Sequence, residues 1–213
     1  MEKISIMVVD DHKLIRETWT YILNSDPRFV VIDACGNSEQ SIEIAKEKRP
    51  DIVLMDINIQ PFNGFEATEK IRKVSPLSKI IALSMHSEPA YAKKMLLVGA
   101  RGYVSKNSSR EEMCLAITEV YKGNKYICTE IKGIIADQML EGNPQTPSIN
   151  QLTNRELQMI NPIREGMSSK EIALKMNISL KTVEVHRHNI LKKLKLKNSA
   201  ALVNFTNGSM IYS

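Results

Sequence analysis

Acidic, hydroxyl and lysine side chains stand just after short apolar stretches in the first half of the chain. They are Asp10 and Asp11, then Asp56, Ser84 and Lys106. Clustered carboxylates repel one another, so a hard divalent cation such as Mg²⁺ is expected among them. A carboxylate placed there can attack a phosphorus atom and form an acyl phosphate, while the lysine and the hydroxyl stabilise the transferred oxygens. These residue types therefore predict a magnesium site that accepts phosphate.

The five side chains meet only if the apolar stretches are parallel strands of one sheet. Five such stretches alternate with segments of helical spacing, at Ile4–Val9, Val30–Ala34, Ile52–Met55, Lys79–Leu83 and Gly102–Val104. This alternation predicts an α/β fold, a doubly wound five-stranded parallel sheet whose strands end along one edge. A helix cap or a solvated lysine is the ordinary explanation of any one of these residues alone. Their shared position at successive strand ends favours a site.

The rest of the chain differs in pattern and in charge. Residues 141–150, EGNPQTPSIN, have the composition of a linker, and only helical stretches follow them. From Thr146 onwards there are ten lysines and arginines against four acidic residues, a net charge of +6, whereas the remainder carries −1. We therefore predict a first domain at 1–125, a linker with one helix at 126–150, and a small all-α domain at 151–213. The basic excess predicts a polyanionic partner for that last domain.

Two short helices joined by a tight turn are expected within 151–213, which is the helix-turn-helix arrangement. In the helix near Leu180–Leu194, one stripe should face the core, namely Val183, His186, Ile190 and Leu194. The opposite stripe would face the major groove of double-stranded DNA. The predicted DNA-contacting residues are Ser168, Ser169, Lys170, Lys181, Thr182, Glu184, Val185, His188 and Lys192. A solvated charged face of a small helical bundle is the alternative.

Four stretches resemble the receiver domains of two-component response regulators: MVVDDH (7–12), VLMDINIQPFNG (53–64), IALSMH (81–86) and GARGYVSK (99–106). The resemblance implies a flavodoxin-like fold in which Asp56 accepts phosphate from a sensor histidine kinase. It also implies that Mg²⁺ is held by Asp10, Asp11, Asp56 and the backbone carbonyl of Asn58, and that Ser84 and Lys106 contact the phosphoryl group. Tyr103 matches the aromatic that changes rotamer when Ser84 moves, although an ordinary half-wet tyrosine is the alternative.

The stretch 152–194 resembles the LuxR-type DNA-binding domain, through LTNRE, SSKEIALKMNIS and KTVEVHRHNILKKL. Together the two resemblances indicate the NarL/FixJ class of response regulators. They imply that phosphorylation of Asp56 controls homodimerisation and DNA binding, and that the last helix often forms the dimer contact.

The sequence departs from the family pattern at two places. Met-Pro usually stands three and four residues after the phosphorylated aspartate, but this chain has Ile59-Gln60 there and Pro61 one residue later. The loop is therefore expected to follow a different path, which bears on the Asn58 carbonyl. Pro162 replaces an apolar helix former, at a cost of about 3 kcal/mol in a regular helix. We expect that helix to kink or end near Asn161.

Other function classes find little support in the sequence. It has no phosphate-binding glycine loop, no zinc-protease motif and no nucleophile elbow, so we expect no catalytic residues and no enzyme. An enzyme controlled by a receiver, and a DNA- or partner-binding protein with a vestigial receiver, are the competing hypotheses. No apolar run reaches the length of a membrane span, and acidic residues come too early for a signal peptide. Three scattered cysteines fit a reducing compartment, so a cytoplasmic protein is predicted.

Overall fold

The structure, a computed structural model, describes residues 3–85, 89–140 and 151–208. Contacts divide the chain into two units, Met1–Gly142 and Asn143–Ser213. The linker stretch predicted at 141–150 lies outside the described residues, as does His86 of the third motif. In the part of the chain that the structure describes, no helix is long and apolar enough to cross a membrane.

A parallel sheet forms the centre of the first unit, in the order β2-β1-β3-β4-β5-β6. Its strands are β1 (Ile4–Val9), β2 (Phe29–Cys35), β3 (Ile52–Asp56), β4 (Lys79–Ser84), β5 (Gly102–Ser105) and β6 (Tyr126–Ile127). Every residue of β3 and β5 is buried, as expected for parallel strands covered by helices on both faces. The doubly wound parallel sheet predicted from the alternation is confirmed.

Among the described residues of this unit, six helices accompany the sheet: α1 (Lys13–Asn24), α2 (Ser38–Lys48), α3 (Gly64–Val74), α4 (Pro89–Val98), α5 (Arg110–Tyr121) and α6 (Thr129–Leu140). Side chains cap three of them at the start, because Asn37, Asn63 and Ser109 each accept a hydrogen bond from a backbone N–H of the first turn. These caps satisfy donors that a helix cannot pair internally. They fix where α2, α3 and α5 begin relative to the strand ends.

The predicted number of strands, five, is wrong: the described residues contain six. The sixth strand, β6, pairs with β5 through Tyr126 N–H to the Arg101 carbonyl (3.0 Å) and Cys128 N–H to the Tyr103 carbonyl (2.9 Å). Two residues are too few to produce an alternating pattern, so periodicity could not reveal this strand. Residues 126–140, which the sequence pattern assigned to the linker, thus add β6 and α6 to the first unit.

Glu112 ties the start of α6 to the loop after β5. Its Oε1 accepts hydrogen bonds from the Thr129 N–H (2.7 Å) and the Thr129 hydroxyl (2.9 Å), and its Oε2 accepts from the Ser108 hydroxyl (2.7 Å). Tyr126 contributes a longer contact of 3.4 Å. Burial raises the pKa of Glu112, but the hydrogen bonds outweigh it and the pKa lies below its ordinary value. One carboxylate therefore joins α5, β6 and α6.

The second unit contains helices α7 (Asn154–Arg164), α8 (Ser169–Lys175), α9 (Leu180–Lys193) and α10 (Ser199–Gly208). Capping boxes start the first two, formed by Thr153 with Glu156 and by Ser168 with Glu171. Asn177 turns the chain between α8 and α9 with a φ of 51°, a conformation that asparagine tolerates better than most residues. The two helices and this turn are the predicted helix-turn-helix.

Helix α7 continues through Pro162 to Arg164, so of the kink or end expected near Asn161 the end is wrong, and the kink stays a prediction. Proline removes only its own N–H from the ladder. The bonds that follow are still made, from the Glu165 N–H to the Asn161 carbonyl (2.9 Å) and from the Met167 N–H to the Pro162 carbonyl (3.0 Å). Pro162 is also buried, so packing offsets part of its cost to the helix.

Glu156 is a nearly buried carboxylate in the core of the second unit, with 2% of its surface exposed. Its Oε2 lies 2.6 Å from the Lys193 ammonium and 2.7 Å from the Thr153 N–H, which joins the start of α7 to the end of α9. Burial raises the pKa of Glu156, but the bonds from Lys193 and Thr153 outweigh it, and the pKa lies below its ordinary value. Glu156 is therefore a charged carboxylate that connects two helices.

Candidate functional site

The predicted site residues of the first unit lie at neighbouring strand ends along one edge of the sheet. Asp10 follows β1 directly, Asp56 is the last residue of β3, Ser84 is the last residue of β4, and Lys106 follows β5. In the sheet register, Asp56 pairs with Leu83 and Ser84 pairs with Ser105, which sets these strand ends side by side. This is the edge at which ligands bind in open α/β sheets.

Lys106 joins the two buried carboxylates of this edge. Its Nζ lies 2.8 Å from Asp10 Oδ2 and 2.9 Å from Asp56 Oδ2, and at most 3% of each of the three side chains is exposed. Burial raises the pKa of Asp56 to about 6, although the ammonium of Lys106 opposes that rise. Burial lowers the pKa of Lys106, but the two carboxylates outweigh it, so the pKa is raised and the amine is charged. The site thus holds a charged lysine against two carboxyl groups.

Asp11 and His12 complete the cluster on its exposed side. One ligand atom from each of Asp10, Asp11, His12 and Asp56 lies within 4.8 Å of all the others. His12 Nδ1 is 2.8 Å from Asp11 Oδ1. Three carboxylates against the one ammonium of Lys106 leave an excess of negative charge, and their oxygens are the ligands that a hard divalent cation prefers. The donor set therefore fits Mg²⁺.

The loop after Asp56 is fixed by hydrogen bonds to the start of α2. The Ser38 N–H donates to the Gln60 carbonyl (2.8 Å), and the Ser38 hydroxyl accepts from the Phe62 N–H (2.8 Å). The Gln60–Pro61 peptide bond is cis. Within the loop, the Asn58 N–H donates to Asp56 Oδ1 at 3.2 Å. Asn58 thus lies against the predicted phosphoacceptor through its N–H, and the role of its carbonyl stays a prediction.

Gly64 shows how closely α3 approaches Asp56. A Cβ at Gly64 would lie 2.4 Å from the Asp56 carbonyl oxygen and 2.7 Å from Ile57 Cα, distances that no side chain can occupy. The Gly64 N–H also donates to the Ile57 carbonyl at 2.8 Å. Only glycine allows the helix to start against the backbone of Asp56.

Ser84 and Tyr103 are both fully buried. The carbonyl of Ser84 accepts a hydrogen bond from the Lys106 N–H at 2.8 Å, which couples the ends of β4 and β5. A tyrosine with no exposed surface does not fit the alternative of a half-wet surface tyrosine. The contact of Ser84 and Lys106 with a phosphoryl group, and the rotamer change of Tyr103, stay predictions.

The sequence pattern missed three residues around this site. His12 directly follows the acidic pair, and that adjacency was the available signal. Ser38 is distant in sequence and reaches the loop only through the packing of α2, so no local pattern marks it. Arg16 lies in the first turns of α1 and donates from Nη1 to the Asp10 carbonyl at 2.5 Å. The separation of six residues between Asp10 and Arg16 matches none of the sequence motifs that predicted the site.

The predicted DNA-contacting residues lie on α8, on α9 and at the starts of these helices. Val183, Ile190 and Leu194 are buried and His186 is half-buried, whereas the opposite stripe of α9 is exposed: Lys181, Glu184, Val185 (51% exposed), His188 and Lys192. Thr182 is half-buried and bonds with the Ser179 hydroxyl (2.7 Å). Ser168 caps α8, the Ser169 hydroxyl accepts from Arg187 (3.0 Å), and Lys170 is exposed.

Several basic side chains of this unit are held by contacts within it. Lys193 bonds to Glu156, Lys175 lies 3.1 Å from Glu165, and Arg187 donates to the hydroxyls of Ser169 and Ser199. By contrast, the described residues form no ion pair with Lys170, Lys181 or Lys192, all of which are exposed. These three lysines lie on the same helices as the predicted DNA-contacting residues, and the exposed Lys195 and Lys197 follow α9.

Comparison with protein families gives two matches that together span most of the chain. Residues 6–118 match the response regulator receiver domain, and residues 150–206 match the bacterial regulatory proteins of the luxR family. The oxygen regulatory protein NreC of Staphylococcus aureus (strain JH9) is 34% identical over 206 residues, which cover 94% of this chain and 95% of NreC.

Solved structures give the same result. A LuxR-family two-component response regulator from Aurantimonas sp. SI85-9A1 is 31% identical, with a TM-score of 0.62 over 65% of this chain and 99% of that one. The RcsB response regulator of Salmonella typhimurium has a TM-score of 0.78 and 20% identity over 98% of this chain and 99% of RcsB. Another structure shows two RcsB dimers bound to two parallel DNAs, with a TM-score of 0.61 and 21% identity over 97% of this chain and 98% of RcsB. The chain therefore belongs to the NarL/FixJ class of response regulators, which join a receiver domain to a LuxR-type DNA-binding domain and act as transcription regulators, not as enzymes.

Proposed function

We propose that a sensor histidine kinase phosphorylates Asp56, and that this modification controls homodimerisation and the binding of double-stranded DNA by the second unit. The proposal is carried by the position of Lys106, whose Nζ lies within 2.9 Å of a carboxylate oxygen of both Asp10 and Asp56. Asp11 belongs to the same cluster. In the reaction, a carboxylate oxygen of Asp56 forms a bond to phosphorus while the bond from phosphorus to the kinase histidine nitrogen breaks. Lys106 and Ser84 lie at the same edge, where they would contact the oxygens of the transferred group.

Mg²⁺ would be held by Asp10, Asp11, Asp56 and the backbone carbonyl of Asn58. When bound, the ion supplies positive charge that screens the nucleophile from the phosphoryl oxygens. The protein's own part is to hold Asp10 and Asp56 in a fixed relative position, which Lys106 does by binding one oxygen of each. The Asn58 N–H binds the other oxygen of Asp56.

For the domains, we propose a receiver at 1–125 that β6 and α6 extend, and a DNA-binding domain at 151–213. The exposed stripe of α9, together with the start of α8, would enter the major groove. Dimeric binding to DNA in RcsB supports the same use of this fold here. We further propose that the protein works in the cytoplasm, where both the kinase's phosphorylated domain and the DNA are accessible.

Phosphorylation is expected to raise both the dimer association constant and the affinity for DNA. A phosphoryl group adds about −1.5 to −2 charges and strong acceptor oxygens at the site, and it shifts the equilibrium by its different affinity for the two states. Sedimentation velocity and mobility-shift assays at stated salt, with and without acetyl phosphate and Mg²⁺, measure the two quantities. The DNA is a site selected from a random library. Equal association constants and equal DNA affinities in the two conditions would contradict the proposal.

Residues of the exposed stripe of α9 are expected to contact different parts of the DNA, either phosphates or base edges. Lys192 lies near the C-terminal end of α9, where it would contact a phosphate, so Lys192→Ala should weaken binding equally for all sequences. It should also lower the slope of log affinity against log salt by about one unit. Val185 and His188 lie near the middle, where a thymine methyl and a base edge are within reach. Replacing either by alanine should change preference between sites by about 1–3 kcal/mol for each good interaction with a base that the substitution removes.

Glu184 shares that stripe, and an acid beside phosphates is repelled unless it accepts from a cytosine amine. We propose that it is a specificity residue. Binding-site selection with each alanine variant tests the orientation of α9, and Lys175→Ala serves as a control, because that exposed lysine is already paired with the exposed Glu165. The orientation is wrong if Lys192→Ala alters the selected sequence while the Val185 and His188 variants leave it unchanged.

A further inference from the structure

We infer that Arg16 is a positioning residue for the metal-binding carboxylates, because it fixes the loop that carries Asp10 and Asp11. This inference rests on the proposed function, in which Mg²⁺ binds at that loop. It assigns to Arg16 no contact with the metal or with the phosphoryl group.

The contacts of Asp10 show what Arg16 contributes. The Asp10 N–H donates to the Cys35 carbonyl (3.1 Å), Oδ1 accepts from the His12 N–H (2.9 Å), and Oδ2 lies against Lys106. The remaining polar atom, the carbonyl oxygen, accepts from Arg16 Nη1 at 2.5 Å. This bond runs from the end of β1 to the first turns of α1 and so closes the loop that contains Asp11. Asp11 itself is exposed, and the Arg16 bond restrains its loop together with the contact of Asp11 with His12 Nδ1 (2.8 Å).

Gly36 supports the same assignment from the opposite side. It lies after β2, and a Cβ there would stand 2.8 Å from Arg16 Nη1 and 3.5 Å from the Asp10 carbonyl oxygen. Its φ lies outside the left-handed region, so the backbone conformation does not require glycine. What the glycine provides is space for the guanidinium of Arg16 beside Asp10.

Charge and positioning predict opposite effects when Arg16 is removed. A positive side chain near a cation site repels the cation, so charge alone predicts tighter Mg²⁺ binding once the arginine is replaced. Loss of a residue that orients a metal ligand predicts weaker binding, by about tenfold at the lower end of such effects. The sign of the change therefore separates the two explanations.

The experiment titrates MgCl₂ into the ¹⁵N-labelled full-length chain and follows the backbone amides of residues 10–12 and 56–58 by NMR. We expect Arg16→Met to raise the dissociation constant about tenfold. Arg16→Lys keeps the charge and one donor, so its dissociation constant should fall between those of Arg16→Met and the natural chain. Phosphorylation by acetyl phosphate in Arg16→Met should approach the natural rate at saturating Mg²⁺.

Gly36→Ala gives an independent arm, because its added methyl group presses on the same hydrogen bond. It should raise the dissociation constant when Arg16 is present, but by less than Arg16→Met does, since the methyl group weakens that bond without removing it. It should have no further effect in the Arg16→Met background. Dispersed spectra and unchanged thermal unfolding confirm that each variant is folded, and Arg16→Lys with Gly36→Ala still tests the hydrogen bond if Arg16→Met does not fold.

Unchanged or tighter Mg²⁺ binding in Arg16→Met overturns the inference, and so does an equal loss of affinity from Gly36→Ala in both backgrounds. Those results would leave the proposed function intact, since the natural chain would still bind Mg²⁺ at residues 10–12 and 56–58. If the natural chain shows no shifts there, both the metal site and the role of Arg16 are wrong.

Discussion

Replacing Asp56 with asparagine is expected to abolish Mg²⁺-dependent phosphorylation and to leave both units folded. The amide has the shape of the carboxylate but lacks its nucleophilic charge. Asp10 and Asp56 share the one ammonium of Lys106, and burial raises the pKa of Asp56, so ionisation of this carboxyl costs stability in the metal-free protein. Without that charge, the temperature of thermal unfolding in metal-free buffer at pH 7 should stay the same or rise.

The measurement is the intact mass of the chain after incubation with acetyl phosphate and MgCl₂. Asp33→Asn is a matched control, because Asp33 lies in β2 and contacts Lys48 at 2.8 Å, outside the site. That variant should incorporate phosphate to the natural stoichiometry. Phosphate incorporation at the natural stoichiometry in Asp56→Asn would refute the assignment of the phosphoacceptor.

Replacing Glu156 with alanine is expected to lower the free energy of unfolding of the second unit by about 3 kcal/mol. Losing a capping residue costs about 1 kcal/mol, and removing one partner of a buried ion pair costs about 3–5 kcal/mol. The second contribution is reduced here, because 35% of the Lys193 side chain is exposed and its ammonium can turn to water. A loss of this size is a large part of the stability of a small domain. DNA binding should fail at lower temperature as a result.

Glu171→Ala is the matched control for this prediction. Glu171 closes the second capping box through the Ser168 N–H at 2.7 Å, but it is exposed and forms no buried ion pair with any described residue. Its loss should cost about 1 kcal/mol. Hydrogen exchange of the backbone amides of α7 and α9, compared with those of β1 and β3, measures both variants. Equal losses of stability in the two variants would show that the ion pair with Lys193 contributes none.

The parts of the fold that could be predicted are those with long repeating patterns. All five predicted strands begin and end within one residue of observed strands, because each is an apolar run in a sheet covered on both faces. The meeting of Asp10, Asp56 and Lys106 followed from topology alone, since parallel strands end at one edge. The division of α9 into a buried and an exposed stripe followed from the helical period.

The rest depended on contacts that leave no local pattern. β6 is two residues long and exists because Arg101 and Tyr103 offer carbonyls at an open edge. Pro162 remains inside α7 because packing offsets the missing hydrogen bond. Helix propensities describe single residues and do not include the energy of tertiary packing. Arg16 and Ser38 act on the site through hydrogen bonds with backbone atoms, which no rule based on residue type predicts. That a Cβ at Gly36 would press on Arg16 can be recognised only once the position of the Arg16 side chain is known.

Because β6 and α6 belong to the first unit, they determine where the DNA-binding domain can be exchanged for another, in evolution or in an engineered gene fusion. A recombination point at 125 would leave the carbonyls of Arg101 and Tyr103 without the partners that β6 supplies, and an open sheet edge invites pairing with other chains. It would also strip Glu112 of its hydrogen bonds with Tyr126 and Thr129, leaving the Ser108 hydroxyl. The part that can be transferred as a unit is therefore the whole receiver with β6 and α6 included, and the compatible junction lies beyond α6.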